Sequence, residues 1–218
     1  MQKLIYIMDP HCGWCFGNSK NFSALYEAFS HAKYREKVSI EIIAGGMWLG
    51  ESAPQGGEGL AQFIQTHGPR MEATTQTKLG DAFHQLTANS SYTFSSLEPS
   101  AALVLVNELA PEKAVQFCSL MLESIFIHGA RPDQLESYQT VLAQLAIDTE
   151  QFALEWLQAE NIAKTQAQFA VAKKLANGYP TLLLQQPNST TGEQRYSAIA
   201  SGYFNLPQVT DKIAKMLN

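Results

Sequence analysis

Long hydrophobic runs are missing from this chain. Its greasiest stretches, such as Ala101 to Val106, are short and bounded by polar residues, well under the roughly 20 apolar residues that a membrane-crossing helix requires. Basic residues are scarce as well. Fifteen Lys and Arg against 20 Asp and Glu leave a formal net charge of -5, which disfavours a surface that neutralises phosphates and excludes nucleic acid from the expected partners. Three cysteines are too few for a disulfide scaffold. No internal repeat, low-complexity tract or long charge run is present, so repeat arrays and disordered tails are set aside. Nor does a basic segment, an apolar stretch and a small-residue cleavage site precede the first patterned element. The fold is therefore expected to begin almost at Met1, and the expected compartment is the cytoplasm.

What is present is ample core material, 45% hydrophobic residues in 218, enough for one domain carrying an insertion or for two modest domains. Lys3-Leu4-Ile5-Tyr6-Ile7-Met8 reads as a buried strand. Asp9-Pro10-His11 breaks it, and Phe22, Leu25, Tyr26 and Phe29 then follow at helical spacing. Val38 to Ile43 alternates at period two and stops at Gly45-Gly46, completing a parallel strand-helix-strand unit. From Met47 to about Ile162 helical signals take over. Pro99 suits a helix's first turn, Pro111 separates two helices, and Asp133 with Glu136 and Asp148 with Gln151 resemble capping boxes.

Beyond this stretch a helix is predicted from about Asn161 to Ala176, ended near Asn177-Gly178 by a left-handed glycine cap. Thr181 to Leu184 and Arg195 to Ile199 read as a hairpin around Asn188 to Gly192. Asn205 looks like the N-cap of a last helix with Leu206, Val209, Ile213 and Met216 spaced along one face. The predicted order is βαβ, helical insert, αββα. This divides the chain into residues 1–46 with 161–218, and an insertion over 47–160.

Cys12-Gly13-Trp14-Cys15 falls where the first strand passes into its helix. The N–H groups of a helix's first turn carry a partial positive charge, so a thiolate on Cys12 is favoured there. Cys15, one turn on, is placed to attack a mixed disulfide formed by Cys12 and release the partner. Two other readings compete. A close cysteine pair is half of a zinc knuckle, but no second pair exists to complete it, and no metal is expected. Two inert core cysteines would leave a Gly-Trp pair at a helix start unexplained. Cys118, among Val115, Met121, Leu122 and Ile125, reads as a packed, unreactive thiol.

With these residues in view the chain resembles the DsbA-like thiol oxidoreductases, and among them the FrnE-like cytoplasmic branch. The resemblance rests on Asp9-x-x-Cys12-x-Trp14-Cys15-x-Gly17 and on Gly178-Tyr179-Pro180-Thr181. It implies an α/β, thioredoxin-like fold with a helical insertion domain. It also implies that Pro180 is cis and faces Cys12, and that the backbone of Tyr179 pairs with an extended substrate. Other members place a buried carboxylate six residues before the attacking cysteine, where this chain has Tyr6. That leaves two roles open for Asp9, proton acceptor for Cys15 or cap of the turn. His11 reads as exposed loop, with stabilisation of the Cys12 thiolate as its alternative, and Trp14 as an apolar rim.

The function expected is thiol:disulfide exchange with protein or peptide thiols through Cys12 and Cys15, in the reductase or isomerase direction. Asp9, His11, Gly13 and Trp14 support the site, and Tyr179 and Pro180 bind substrate. No cofactor is expected beyond the dithiol itself, with glutathione or a thioredoxin-type reductant as candidate electron donors. Two alternatives stand beside it: a glutathione-dependent transferase or isomerase of kappa-class type, a family that generally has serine at the reactive position, and a non-catalytic peptide-binding or chaperone module. Trp48 and Phe63 would serve the latter, although packing inside the insert is the expectation for both.

Overall fold

The structure is a computed structural model describing residues 1–187 and 192–217. The chain begins with strand β1 (Gln2–Met8), helix α1 (Gly13–Ser30), the short α2 (Ala32–Arg35) and strand β2 (Val38–Ala44). Six helices follow: α3 (Glu58–Thr75), α4 (Asp81–Thr87), α5 (Leu97–Leu109), α6 (Ala114–Phe126), α7 (Glu136–Gln144) and α8 (Thr149–Glu155). The chain then closes with α9 (Ala159–Leu175), β3 (Thr181–Pro187), β4 (Gln194–Ser201) and α10 (Leu206–Leu217). No helix among the described residues is long and apolar enough to cross a membrane.

The four strands form one sheet in the order β2-β1-β3-β4. β1 pairs parallel with β2, Gln2 opposite Val38 through Met8 opposite Ala44, and antiparallel with β3, Ile7 opposite Thr181. Its central place explains its sequence. A strand covered on both faces must be apolar at every position, and Leu4 to Met8 are all buried. Alternate residues go to opposite sides. Leu4, Tyr6 and Met8 join the large core beneath α1 and α10, whereas Ile5 and Ile7 pack with Ile43, Leu183 and Ala172 of α9.

The inserted helices build onto α1. Phe16 of α1 stacks on Phe126 of α6, ring centroids 4.9 Å apart, and Gly17 receives the end of α3. A Cβ at Gly17 would lie 2.5 Å from Thr75 Cγ2, so the close approach of the two helices depends on hydrogen at that position.

Several local expectations change. α9 runs from Ala159 to Leu175 and ends at Ala176 in extended conformation, and Gly178 is not among the positive-φ glycines. The helix thus ends without a left-handed cap, and the turn into β3 is spread over residues 177–180. Asp133 does not cap α7, which starts at Glu136 with Leu135 as its N-cap; its carboxylate pairs with Arg131 instead, Oδ2 to Nη2 at 2.7 Å. Asp148 does cap α8, accepting from Glu150 and Gln151 N–H, but Gln151 turns forward to Glu155 rather than closing a box. Asn205 accepts from Gln208 N–H at the start of α10. Of the predicted hairpin loop, residues 188–191 lie outside the described residues.

The Gly17 contact makes a stability prediction. Gly17→Val would force a branched side chain into Thr75, and such overpacking costs about 1–3 kcal/mol. A lowered urea midpoint with an unchanged slope is expected, and an unchanged midpoint would show that α1 and α3 are free to separate.

Candidate active site

Three residues, Asp9 to His11, carry the chain from the end of β1 to the N-cap of α1. The turn closes with Cys12 N–H on Asp9 O at 3.1 Å. Its main brace is the Asp9 carboxylate. Fully buried, it accepts from His11 N–H (2.9 Å), Met47 N–H (2.6 Å) and the Ser96 hydroxyl (3.0 Å). Burial raises its pKa, and hydrogen bonds from Met47, His11, Ser96 and Gly46 work against that rise. Asp9 is thus a cap for the turn and, in addition, a clamp onto the segments after β2 and before α5. Ser96 has no counterpart among the residues singled out from the sequence. It is buried, accepts from Trp48 N–H and pairs its own N–H with Trp48 O. A serine just ahead of an apolar helix was its only signal.

Cys12 is the N-cap residue of α1, in extended conformation, and the first turn of that helix contains no acidic side chain. The positive end of the helix is therefore not offset there. Cys12 is 6% exposed, and Cys15 is completely buried behind it. Both are free thiols, as is Cys118. The Cys15 pKa is pushed well up, first by burial and then by the neighbouring Cys12 thiol, so the Cys15 thiol stays protonated. The Cys12 thiol lies 3.5 Å from Tyr179 O. The Tyr179–Pro180 bond is cis, and the Tyr179 hydroxyl donates to Gly45 O at 2.8 Å.

Gly45 and Gly46, read from the sequence as the end of a strand, prove to be seats for side chains. A Cβ on Gly45 would collide with the ring of Tyr179, and one on Gly46, whose φ is +68°, with that of Phe169. Gly45 is what allows Tyr179 to lie over the end of β2 beside Cys12.

His11 corrects an expectation. It is not an exposed loop residue: it is buried, 5.9 Å from the Trp48 ring and edge-on to Phe94 at 5.4 Å. Nε2 lies 2.9 Å from Ser95 O and must donate to it, while Nδ1 is buried without a hydrogen-bond partner. Burial lowers its pKa to about 4, so the ring is neutral at physiological pH and cannot act as a cation toward Cys12. Phe63 also departs from expectation. It is 50% exposed rather than packed inside the insert.

Tyr6 occupies the place six residues before Cys12. It is buried, stacked on Phe22 at 3.8 Å, and accepts from Asn18 Nδ2 at 3.3 Å. Its pKa is raised well above the usual value by burial and next by the charge of Cys15, which keeps it a neutral phenol. Cys118 lines the same small space as Tyr6 and Cys15, and burial raises its pKa to about 12. Gly13 and Trp14, with Cys12 and His11, border an apolar cavity of about 190 Å³. Among the described residues no group of three or more His, Cys, Asp or Glu could hold a metal ion.

No protein-family model matches this sequence, and no curated protein matches it. Solved structures do. A protein from Nitrosomonas europaea, provisionally assigned as a protein disulfide isomerase, superposes with a TM-score of 0.78 at 20% identity, covering 99% of this chain and 97% of its own. The cytosolic disulfide reductase DsbM from Pseudomonas aeruginosa gives 0.75 at 20% identity, covering 99% and 98%. The same reductase with GSH gives 0.76 at 22% identity, with the same coverage. The fold is therefore the DsbA-like one, a thioredoxin fold with a helical insertion.

The neutral, buried His11 carries a pH prediction. A base whose pKa falls from 6.5 to about 4 on folding contributes stability that is complete above 6.5 and lost as the pH drops toward 4. Between pH 7.5 and pH 5 this loss amounts to about 2 kcal/mol. Urea midpoints should fall less over that interval in His11→Gln, which cannot charge. Equal losses in the two proteins would show that His11 is not held neutral.

Proposed function

We propose that this protein is a thiol:disulfide oxidoreductase in which Cys12 attacks and Cys15 resolves. The observation that carries the proposal is the placing of Cys12 as N-cap of an 18-residue helix, its thiol 3.5 Å from Tyr179 O, with the Cys15 thiol one turn on and fully buried. Two inert core thiols would not need a turn clamped from three segments. The fold shared with a cytosolic disulfide reductase and with a provisionally assigned disulfide isomerase supports the same reading, and it supports a cytoplasmic setting.

In the reductase direction the Cys12 thiolate attacks a substrate disulfide, one substrate thiol leaves, and Cys12 is joined to the other. Cys15 then loses its proton and attacks the Cys12 sulfur, which releases the second thiol and leaves a Cys12–Cys15 disulfide. The second step is the harder one, because Cys15 must ionise where burial opposes it. Asp9 is the carboxylate whose charge acts on Cys15, and it serves as the acceptor of that proton. Substrate backbone pairs at Tyr179 beside Pro180, a mode tolerant of sequence. Re-reduction needs an external thiol. Glutathione is one candidate, supported by the neighbouring reductase structure with GSH. A dithiol of thioredoxin type is the other.

Insulin reduction with dithiothreitol tests the scheme. Wild type and Cys118→Ala are expected to accelerate precipitation, Cys12→Ser to match buffer, and Cys15→Ser to accumulate a mixed disulfide visible by intact mass. Asp9→Asn should form the mixed disulfide but resolve it at least about tenfold more slowly. Activity that survives Cys12→Ser would end the proposal. Turnover with glutathione that survives Cys15→Ala would favour a transferase.

A further inference from the structure

We propose that the phenol of Tyr6 is a further catalytic group of the exchange reaction: its O–H donates to the Cys15 sulfur once that sulfur is ionised, and so holds the thiolate that resolves the mixed disulfide. The proposal rests on the exchange chemistry above and names a group that its second step uses. Tyr6 reaches from β1 into the core beneath α1, where it lines one narrow space with Cys15. Val115, Cys118 and Leu122 of α6 form another wall of that space. It is too small for a water molecule. A charge formed on Cys15 must therefore be met on this side by the protein itself.

Three observations single out Tyr6 for that task. First, its oxygen is already used as an acceptor while its proton is not used. Asn18, itself fully buried, donates from Nδ2 to the Tyr6 oxygen at 3.3 Å. The direction of that amide is fixed, because Asn18 Oδ1 accepts from Asn21 Nδ2 (3.4 Å) and from Phe204 N–H (3.5 Å). The Tyr6 O–H donates to no acceptor among the described residues. A thiol is a weak acceptor and a thiolate a strong one, so this proton gains a partner when Cys15 ionises, and the donation from Asn18 strengthens the bond. Second, the ring is buried and stacked on Phe22 at 3.8 Å, so the donor is held in place beforehand. Third, the competing donors are poorer. Cys118 offers only a thiol, and Ser19, Ser23 and Ser119, which also line the space, are partly exposed, so water competes for their hydroxyls. Burial and the charge of Cys15 hold the Tyr6 pKa well above its usual value. The phenol therefore donates and does not take the Cys15 proton, which leaves Asp9 as its acceptor. The other titratable groups that face Cys15 are Cys12, Cys118 and Tyr179.

The test follows the two steps separately on the full, reduced chain, mixed with a peptide joined through its single cysteine to 2-nitro-5-thiobenzoate. The Cys12 thiolate attacks the peptide sulfur, a Cys12–peptide bond forms, and the coloured aromatic thiolate leaves with the electron pair. Cys15 then gives its proton to Asp9 and attacks the Cys12 sulfur. The Cys12–Cys15 bond forms, and the peptide thiolate leaves with the electron pair and takes a proton from solvent. Tyr6 keeps its own proton throughout. Colour reports the first step, and intact mass after acid quench reports the second as loss of the Cys12–peptide adduct. In Tyr6→Phe colour release should be unchanged. A hydrogen bond lost from the charged form should cut the Cys15 thiolate fraction about tenfold. A more basic thiolate is also more nucleophilic, so adduct loss at neutral pH should slow about threefold. With 3-fluorotyrosine at position 6, a more acidic phenol of similar size and a stronger donor, adduct loss should instead be faster than in wild type, which a packing role would not produce. If Tyr6→Phe does not fold by circular dichroism, the fluorinated protein carries the comparison. Cys118→Ala should match wild type. Adduct loss as fast in Tyr6→Phe as in wild type, or no faster with 3-fluorotyrosine, would overturn the role of Tyr6 and leave the exchange reading standing. Colour release no faster than from Cys12→Ser would overturn the exchange reading itself.

Discussion

A single buried carboxylate holds this site together. Asp9 sits at the end of the central strand, in a place where ionisation is costly, and it stays there because its oxygens meet donors from the turn, from the segment after β2 and from Ser96 ahead of α5. A buried charge is tolerated only when so satisfied, and each donor would in turn be orphaned without it. The mutual dependence ties the strand-to-helix turn to the insertion. It also determines where Cys12 stands relative to the first N–H groups of α1 and relative to Tyr179.

From that anchoring the asymmetry of the two cysteines follows. Cys12 is at the helix end beside a cavity, and Cys15 is one turn deeper with no exposure. In the proposed exchange the first would meet the disulfide, and the second, kept protonated by its burial, would act only once a mixed disulfide had formed beside it. His11, next to Cys12 in sequence, takes no charged part. Desolvation removes its proton, and its ring serves as packing between Trp48 and Phe94. The helical insertion is part of the same design, since α3 supplies the apolar wall opposite the thiol and α6 supports the base of α1 through Phe126.

Much of the fold was legible because its signals are local. The unbroken apolar run of β1, the alternation of β2 and the helical spacing after Phe22 each reflect burial on a definite face. The cysteine pair was legible because its place at a strand-to-helix junction carries its own electrostatics. What sequence could not show were contacts between distant segments. Asp9 offered two roles with nothing local to choose between them, and the partners that make it a clamp, Met47 and Ser96, lie 38 and 87 residues away. The exposure of His11 and Phe63 was misjudged for the same reason, since burial is decided by what the insertion brings over them. Asp133 failed as a cap because α7 begins at Glu136 with Leu135 as its N-cap, later than the box spacing implied.

The central claim is that Cys12 and Cys15 form one two-electron couple from which Cys118 is excluded. Equilibration in graded ratios of reduced to oxidised dithiothreitol, followed by acid quench, alkylation under denaturing conditions and peptide mapping, measures this most directly. The account predicts a single transition with the slope of a two-electron couple, about 30 mV per decade, in which Cys12 and Cys15 lose their label together and Cys118 keeps it. A protein in which that pair never joins, or in which Cys118 takes the place of either partner, would contradict it.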